Sequence, residues 1–262
     1  MSGKLKISVA KYKDSFAFNT AVNEFYIDSA CEEEHTECTS AVRHRETGHD
    51  ITSLQPPLKS TENSEKGEAL KKLRDYKINN CIKCGLSKER NLLVFGEGNA
   101  DSDLMFIGEA PGADEDKTGR PFIGKAGQLL TKIIESINLK RENVYIANII
   151  KCRPPGNRNP EQNEIESCSP FLREQIDIIK PKIICTLGKF STMFIFNEIS
   201  NAAGGESIEF EKIGNHRGKI YDYRDIKVIP TYHPSYLLRN PSAKKDVWED
   251  MKLIRDLLSK YI

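Results

Sequence analysis

Four short apolar runs, Leu104–Ile107, Val144–Ile150, Ile183–Leu187 and Val228–Thr231, constrain this chain more than any other feature. Each is bounded by turn residues, and each reads as a strand buried on both faces. Helical periodicity fills the gaps between them, over Lys125–Asn138, from Pro160 to about Lys180, and over Phe190–Asn197. A last helix from about Ala243 sets Val247, Met251, Ile254, Leu257 and Leu258 on one face. Asn159-Pro160-Glu161 supplies a capping residue, a proline for the first helical position and an acid for the first turn. Pro170 inside the same pattern predicts a kink, or a restart after Cys168. Strands alternating with helices make an α/β protein with a parallel-type sheet and helices on both faces.

The 262 residues suffice for one substantial core and an accessory segment. Residues 64–262 read as that domain. Residues 1–63 are weakly patterned, with an acidic run at Glu32–Glu34 and a Pro56-Pro57 break, and read as an extension that is largely linker or disordered. Cys31, His35, Cys38 and His44 superficially resemble a zinc pattern, at a spacing that fits no common finger. No run of 18 apolar residues exists, and the first residues lack a signal peptide's apolar core, so a cytoplasmic protein without a membrane partner is expected. There, seven cysteines argue for metal ligands or free thiols rather than disulfides. A net charge of +1 requires any nucleic-acid contact to rest on local positive charge.

The first strand runs into the stretch Gly108 to Leu130, whose loop before the helix is rich in glycine and carboxylates, with Glu109, Ala110, Asp114, Glu115, Asp116 and a lone Phe122. Loops at the carboxyl ends of strands are where α/β proteins place binding sites. Asn148 ends the second strand with a donor and an acceptor suited to a base edge. Phe122 offers a stacking surface. His233 leaves the last strand beside a rigid proline, and Leu237, Leu238 and Arg239 follow as an apolar wedge with a phosphate-binding cation. Lys189, after Gly188, adds a further phosphate contact.

A helical segment carrying Ala69, Leu70, Leu73 and Tyr76 leads to Cys81 and Cys84; Cys152 and Cys168 follow much later, bracketing a proline-rich loop and a helix.

 In plain spacing, 67 residues separate Cys84 from Cys152 and 15 separate Cys152 from Cys168. A C-x2-C turn can aim both sulfurs at one ion, and four thiolates suit either Zn2+ or a [4Fe–4S] cluster. With four protein ligands no open position remains, so the site reads as structural. Cys185, inside a strand, reads as a small buried hydrophobe.

Together these residues resemble the family 4, iron–sulfur uracil-DNA glycosylases over about residues 80–260. The resemblance rests on Cys81-x2-Cys84, Gly108-Glu-Ala-Pro-Gly112, Gly119-Arg-Pro-Phe-Ile-Gly124, Asn148-x3-Cys152-Arg-Pro-Pro155, Cys168 and His233-Pro-Ser-Tyr-Leu-Leu-Arg239. It implies a three-layer αβα sandwich around a four-stranded parallel sheet, with a structural [4Fe–4S] cluster on Cys81, Cys84, Cys152 and Cys168. It implies a monomeric DNA-repair hydrolase that releases uracil from single- or double-stranded DNA. Gly108, Glu109, Ala110, Phe122, Asn148 and His233 would bind the base, with Phe122 stacking on it and Asn148 reading its pairing edge. Glu115, His233 and Glu109 would be catalytic, and Leu237, Leu238, Arg239 and Lys189 would contact DNA. Two alternatives are a non-catalytic iron–sulfur DNA-binding module and a zinc-stabilised, Mg2+-dependent nucleotide hydrolase.

Overall fold

The computed structural model describes residues 64–204 and 207–261. The expected extension at 1–63, with the Cys31, His35, Cys38 and His44 grouping, lies outside the described residues. The sheet comprises β1 (Glu97–Gly98), β2 (Leu104–Gly108), β3 (Tyr145–Asn148), β4 (Ile183–Leu187), β5 (Tyr221–Tyr223) and β6 (Ile226–Thr231). The helices are α1 (Glu65–Lys72), α2 (Ala113–Thr118), α3 (Lys125–Glu135), α4 (Gln162–Ile179), α5 (Lys189–Ala202), α6 (Pro234–Arg239) and α7 (Lys244–Leu258).

Strand order is β1-β3-β2-β4-β6-β5. The inner four strands are mutually parallel, as the four apolar runs require. Short antiparallel strands flank them, β1 against β3 and β5 against β6. Alternation along the strands divides the core. Met105 and Ile107 of β2 and Ile184 of β4 face a cluster with Leu172, Ile176 and Ile195 from α4 and α5. Leu104, Phe106, Ile183 and Ile229 face the opposite cluster, with Leu130 and Ile134 of α3 and Met251 and Ile254 of α7. That is a three-layer αβα arrangement. Each of these side chains is essentially sealed from water, worth roughly 1.5–3 kcal/mol apiece by transfer.

Three local expectations are corrected. α4 runs unbroken past Pro170. The proline cannot bond the Glu166 carbonyl, but Glu166 is exposed and solvent can take the missing donor's place. Its capping residue is Glu161 rather than Asn159, and the Glu161 amide donates to Glu164 Oε2 at 2.8 Å. Finally, α1 passes into a π-helical stretch over Leu73–Ile78. The wider turn rotates Tyr76 off the apolar face, leaving it 86% exposed.

Candidate active site

Because β2, β3, β4 and β6 are parallel, their carboxyl ends leave the sheet at one edge. Gly108 pairs with Asn148 across β2 and β3, and Leu187 pairs with Thr231 across β4 and β6. The loops from three of these ends enclose a cavity of about 270 Å3, lined by Glu109, Ala110, Glu115, Phe122, Asn148 and His233. Pro111, Gly112, Ala126, Pro154, Asn157, Arg158 and Ser235 complete its wall. Segments more than a hundred residues apart therefore meet at one site.

Phe122 is buried and holds a left-handed backbone (φ 51°), a conformation that costs a bulky residue energy and persists only when its surroundings impose it. Two glycines impose it. A Cβ on Gly127 would lie 1.9 Å from the Phe122 carbonyl, so the N-terminal turn of α3 packs directly on that backbone. A Cβ on Gly108 would lie 2.4 Å from the Phe122 ring and 2.5 Å from Asn148 Oδ1. Only glycine at 108 lets ring and amide stand so close. Asn148 is buried, and its Oδ1 has no hydrogen-bond partner. A buried polar atom left open in a cavity is a group waiting for a ligand.

His233 caps α6. Its Nδ1 accepts from the Ser235 amide at 3.1 Å and lies 2.8 Å from Ser235 Oγ. A backbone amide can only donate, so Nδ1 carries no proton and the neutral ring bears its hydrogen on Nε2. Burial, reinforced by Arg239 and opposed by Glu115, pulls the imidazole down to about 4. The ring centroid lies 5.7 Å from that of Phe122. Burial pushes the Glu109 carboxyl up to about 7. Glu115 lines the same cavity and is tied to the backbone around it. Its Oε1 accepts from the Ile123 and Gly124 amides (2.9 and 3.0 Å) and its Oε2 from the Gly112 amide (3.1 Å). The carboxylate thus staples α2 to the turn that carries Phe122. Asp116 is buried and bonded to the Asn91 side chain and amide, while Asp114 is exposed.

Leu237 and Leu238 do not form one wedge. Successive helical residues point about 100° apart, so Leu237 is fully buried against the α3–α7 cluster while Leu238 is 47% exposed. Arg239 and Lys189 are exposed. Arg158, which the sequence reading left unassigned, lines the cavity and forms a bidentate pair with Glu164 at 2.6 and 2.9 Å.

Cys81, Cys84, Cys152 and Cys168 line a second cavity, between the end of the α1 segment, the exit of β3 and α4. All four are free thiols. Arg90 Nη1 approaches Cys152 Sγ at 3.2 Å, and the Lys151 amide approaches Cys168 Sγ at 3.3 Å. Donors aimed at sulfur suit thiolate ligands. Among the described residues no group of three or more His, Cys, Asp or Glu side chains is arranged to hold a single metal ion; the four sulfurs share one cavity. Cys185 is fully buried in β4. No described helix is long and apolar enough to cross a membrane.

Residues 95–253 match the sequence family "Uracil DNA glycosylase superfamily". The chain is 49% identical over 195 residues to a type-4 uracil-DNA glycosylase of Sulfurisphaera tokodaii, covering 72% of this chain and 85% of that one. It is 42% identical over 187 residues to a type-4 uracil-DNA glycosylase of Archaeoglobus fulgidus (70% and 90% covered). A Thermotoga maritima protein of the same name is 41% identical over 196 residues (74% and 97% covered).

Proposed function

The chain belongs to the uracil DNA glycosylase superfamily, and on that footing we propose that it extrudes uracil from DNA and hydrolyses the N-glycosidic bond, leaving an abasic site. It is a monofunctional DNA-repair glycosylase. Neither a non-catalytic binding module nor a nucleotide hydrolase is favoured. The observation that carries the reading is the cavity where Phe122, the open Asn148 amide and the Nε2 hydrogen of His233 converge.

A base inside a duplex is out of reach, so it must leave the stack and enter a pocket. Phe122 stacks on it, worth roughly 1–3 kcal/mol. Asn148 Oδ1 accepts from the uracil N3–H while its amide nitrogen donates to the neighbouring carbonyl. When the bond from C1′ to N1 breaks, its electron pair leaves with uracil and charge collects on the ring oxygens. The His233 Nε2 hydrogen donates to one of them, and a preorganised donor of this kind typically lowers the barrier by about 3–4 kcal/mol. Water bonds to C1′ and gives a proton to ionised Glu109, the cavity carboxylate that Glu115's amide contacts leave free to act.

The four cysteines fit a [4Fe–4S] cluster by donor chemistry and by sharing one cavity. Bound there, it would cross-link the segment after α1, the exit of β3 and α4, a structural role in a reaction with no redox step. Exposed Leu238, Arg239 and Lys189 serve as DNA contacts. The protein works as a monomer in the compartment that holds the DNA.

The test is release of free uracil from a uracil-containing oligonucleotide in EDTA. Release is expected; binding without release from intact protein overturns the reading. Iron and sulfide analysis of the purified protein tests the cluster separately, and zinc in their place would refute it.

A further inference from the structure

Lys151 is a fully buried lysine outside the base cavity. Its Nζ donates to the Asn148 carbonyl at 2.9 Å and to Gln175 Oε1 at 2.6 Å. Gln175, itself buried on α4, donates onward to the Phe95 carbonyl at 2.9 Å and the Tyr145 hydroxyl at 3.2 Å. The amide of the same lysine reaches Cys168 Sγ at 3.3 Å. One residue therefore grips the backbone of Asn148 with its side chain and a cysteine of the second cavity with its main chain.

We propose that Lys151 is a positioning residue for uracil recognition, holding the end of β3 so that the Asn148 amide meets the base, and tying that alignment to the cysteine cavity. The inference rests on the glycosylase reading. Three observations carry it. The lysine sits three residues past Asn148, the last residue of β3; the Ile149 and Ile150 amides still donate to the Gly108 and Glu109 carbonyls, and the lysine side chain adds the bond that takes up the Asn148 carbonyl itself. The Asn148 side-chain oxygen has no protein partner to orient it, so its aim depends on its backbone. Lysine is seldom fully buried without a partner, and here both acceptors are supplied by β3 and by the helix that carries Cys168. Both bonds need only N–H donors, which an amine retains in either protonation state.

The consequence is specific. Losing the side-chain bonds should loosen binding of the base more than it unfolds the protein. Full-length Lys151→Met keeps the length and apolar stem and removes the donors. Expected are about tenfold weaker binding of free uracil by calorimetry, the size of a lost charged hydrogen bond, and a KM raised more than kcat falls. Iron content should match wild type. Gln175→Met is the second variant, since it removes one anchor and leaves the lysine in place. It should shift uracil affinity in the same direction, by less. If both fold and bind uracil as wild type does, the proposal fails. If Lys151→Met does not fold, an unchanged uracil affinity in Gln175→Met overturns it. Wild-type protein that releases no uracil would sink the functional reading instead, a separate outcome.

Discussion

The Ser235 amide fixes which face of His233 carries a hydrogen, and two measurable effects follow. His233→Gln should lower kcat by about 10²–10³ with a modest change in KM, because the donor acts on charge that appears only as the bond breaks. Acid stability should also change. Folded His233 titrates near 4 against an ordinary 6.5, so between those values the unfolded chain binds more protons. Stability therefore falls as pH drops from about 6.5 toward 4, and thermal melts of His233→Gln should lose that part of the slope. Glu109 works in the opposite sense. It holds its proton to about 7 against an ordinary 4.5, so the folded state binds more protons across that window and stability declines as pH rises. Glu109→Gln should melt higher than wild type above pH 7 while losing most uracil release. A variant that melts lower there would contradict the burial argument.

Among the elements, α6 separates two neighbouring leucines. Leu237→Ala should cost about 2–5 kcal/mol in denaturant unfolding, because it empties a closed core site. Leu238→Ala should leave the midpoint unchanged and weaken DNA binding; equal stability losses would mean that the helix is not seated as described. The inner strands were legible in sequence because a strand covered on both faces is a continuous apolar run. β1 and β5 were not, since strands of two and three residues leave no periodicity to detect. The carboxyl-end loops announced the site by composition, and Gly108, Phe122, Asn148 and His233 were readable from it. The work done by Glu115 was not, because its three amide partners depend on how the loop closes over α2. Arg158 was hidden for the same reason.

For the molecule as a whole, each cavity-lining residue of the base site lies between Glu109 and Ser235. A version starting at Ser64 should therefore release uracil at a rate within about threefold of the full chain, a difference small beside the tenfold that 1.4 kcal/mol represents. A larger loss would give residues 1–63 a part in the reaction. Wholeness also has a vulnerable stretch. Asn148, Lys151 and Cys152 occupy five consecutive positions that serve two cavities at once. Inserting a single residue there would turn the amide and the thiol out of line together, with no compensating slack on either side. Drift in length is thus open to most surface turns of this chain but closed to this one, and substitutions alone remain as its route for change.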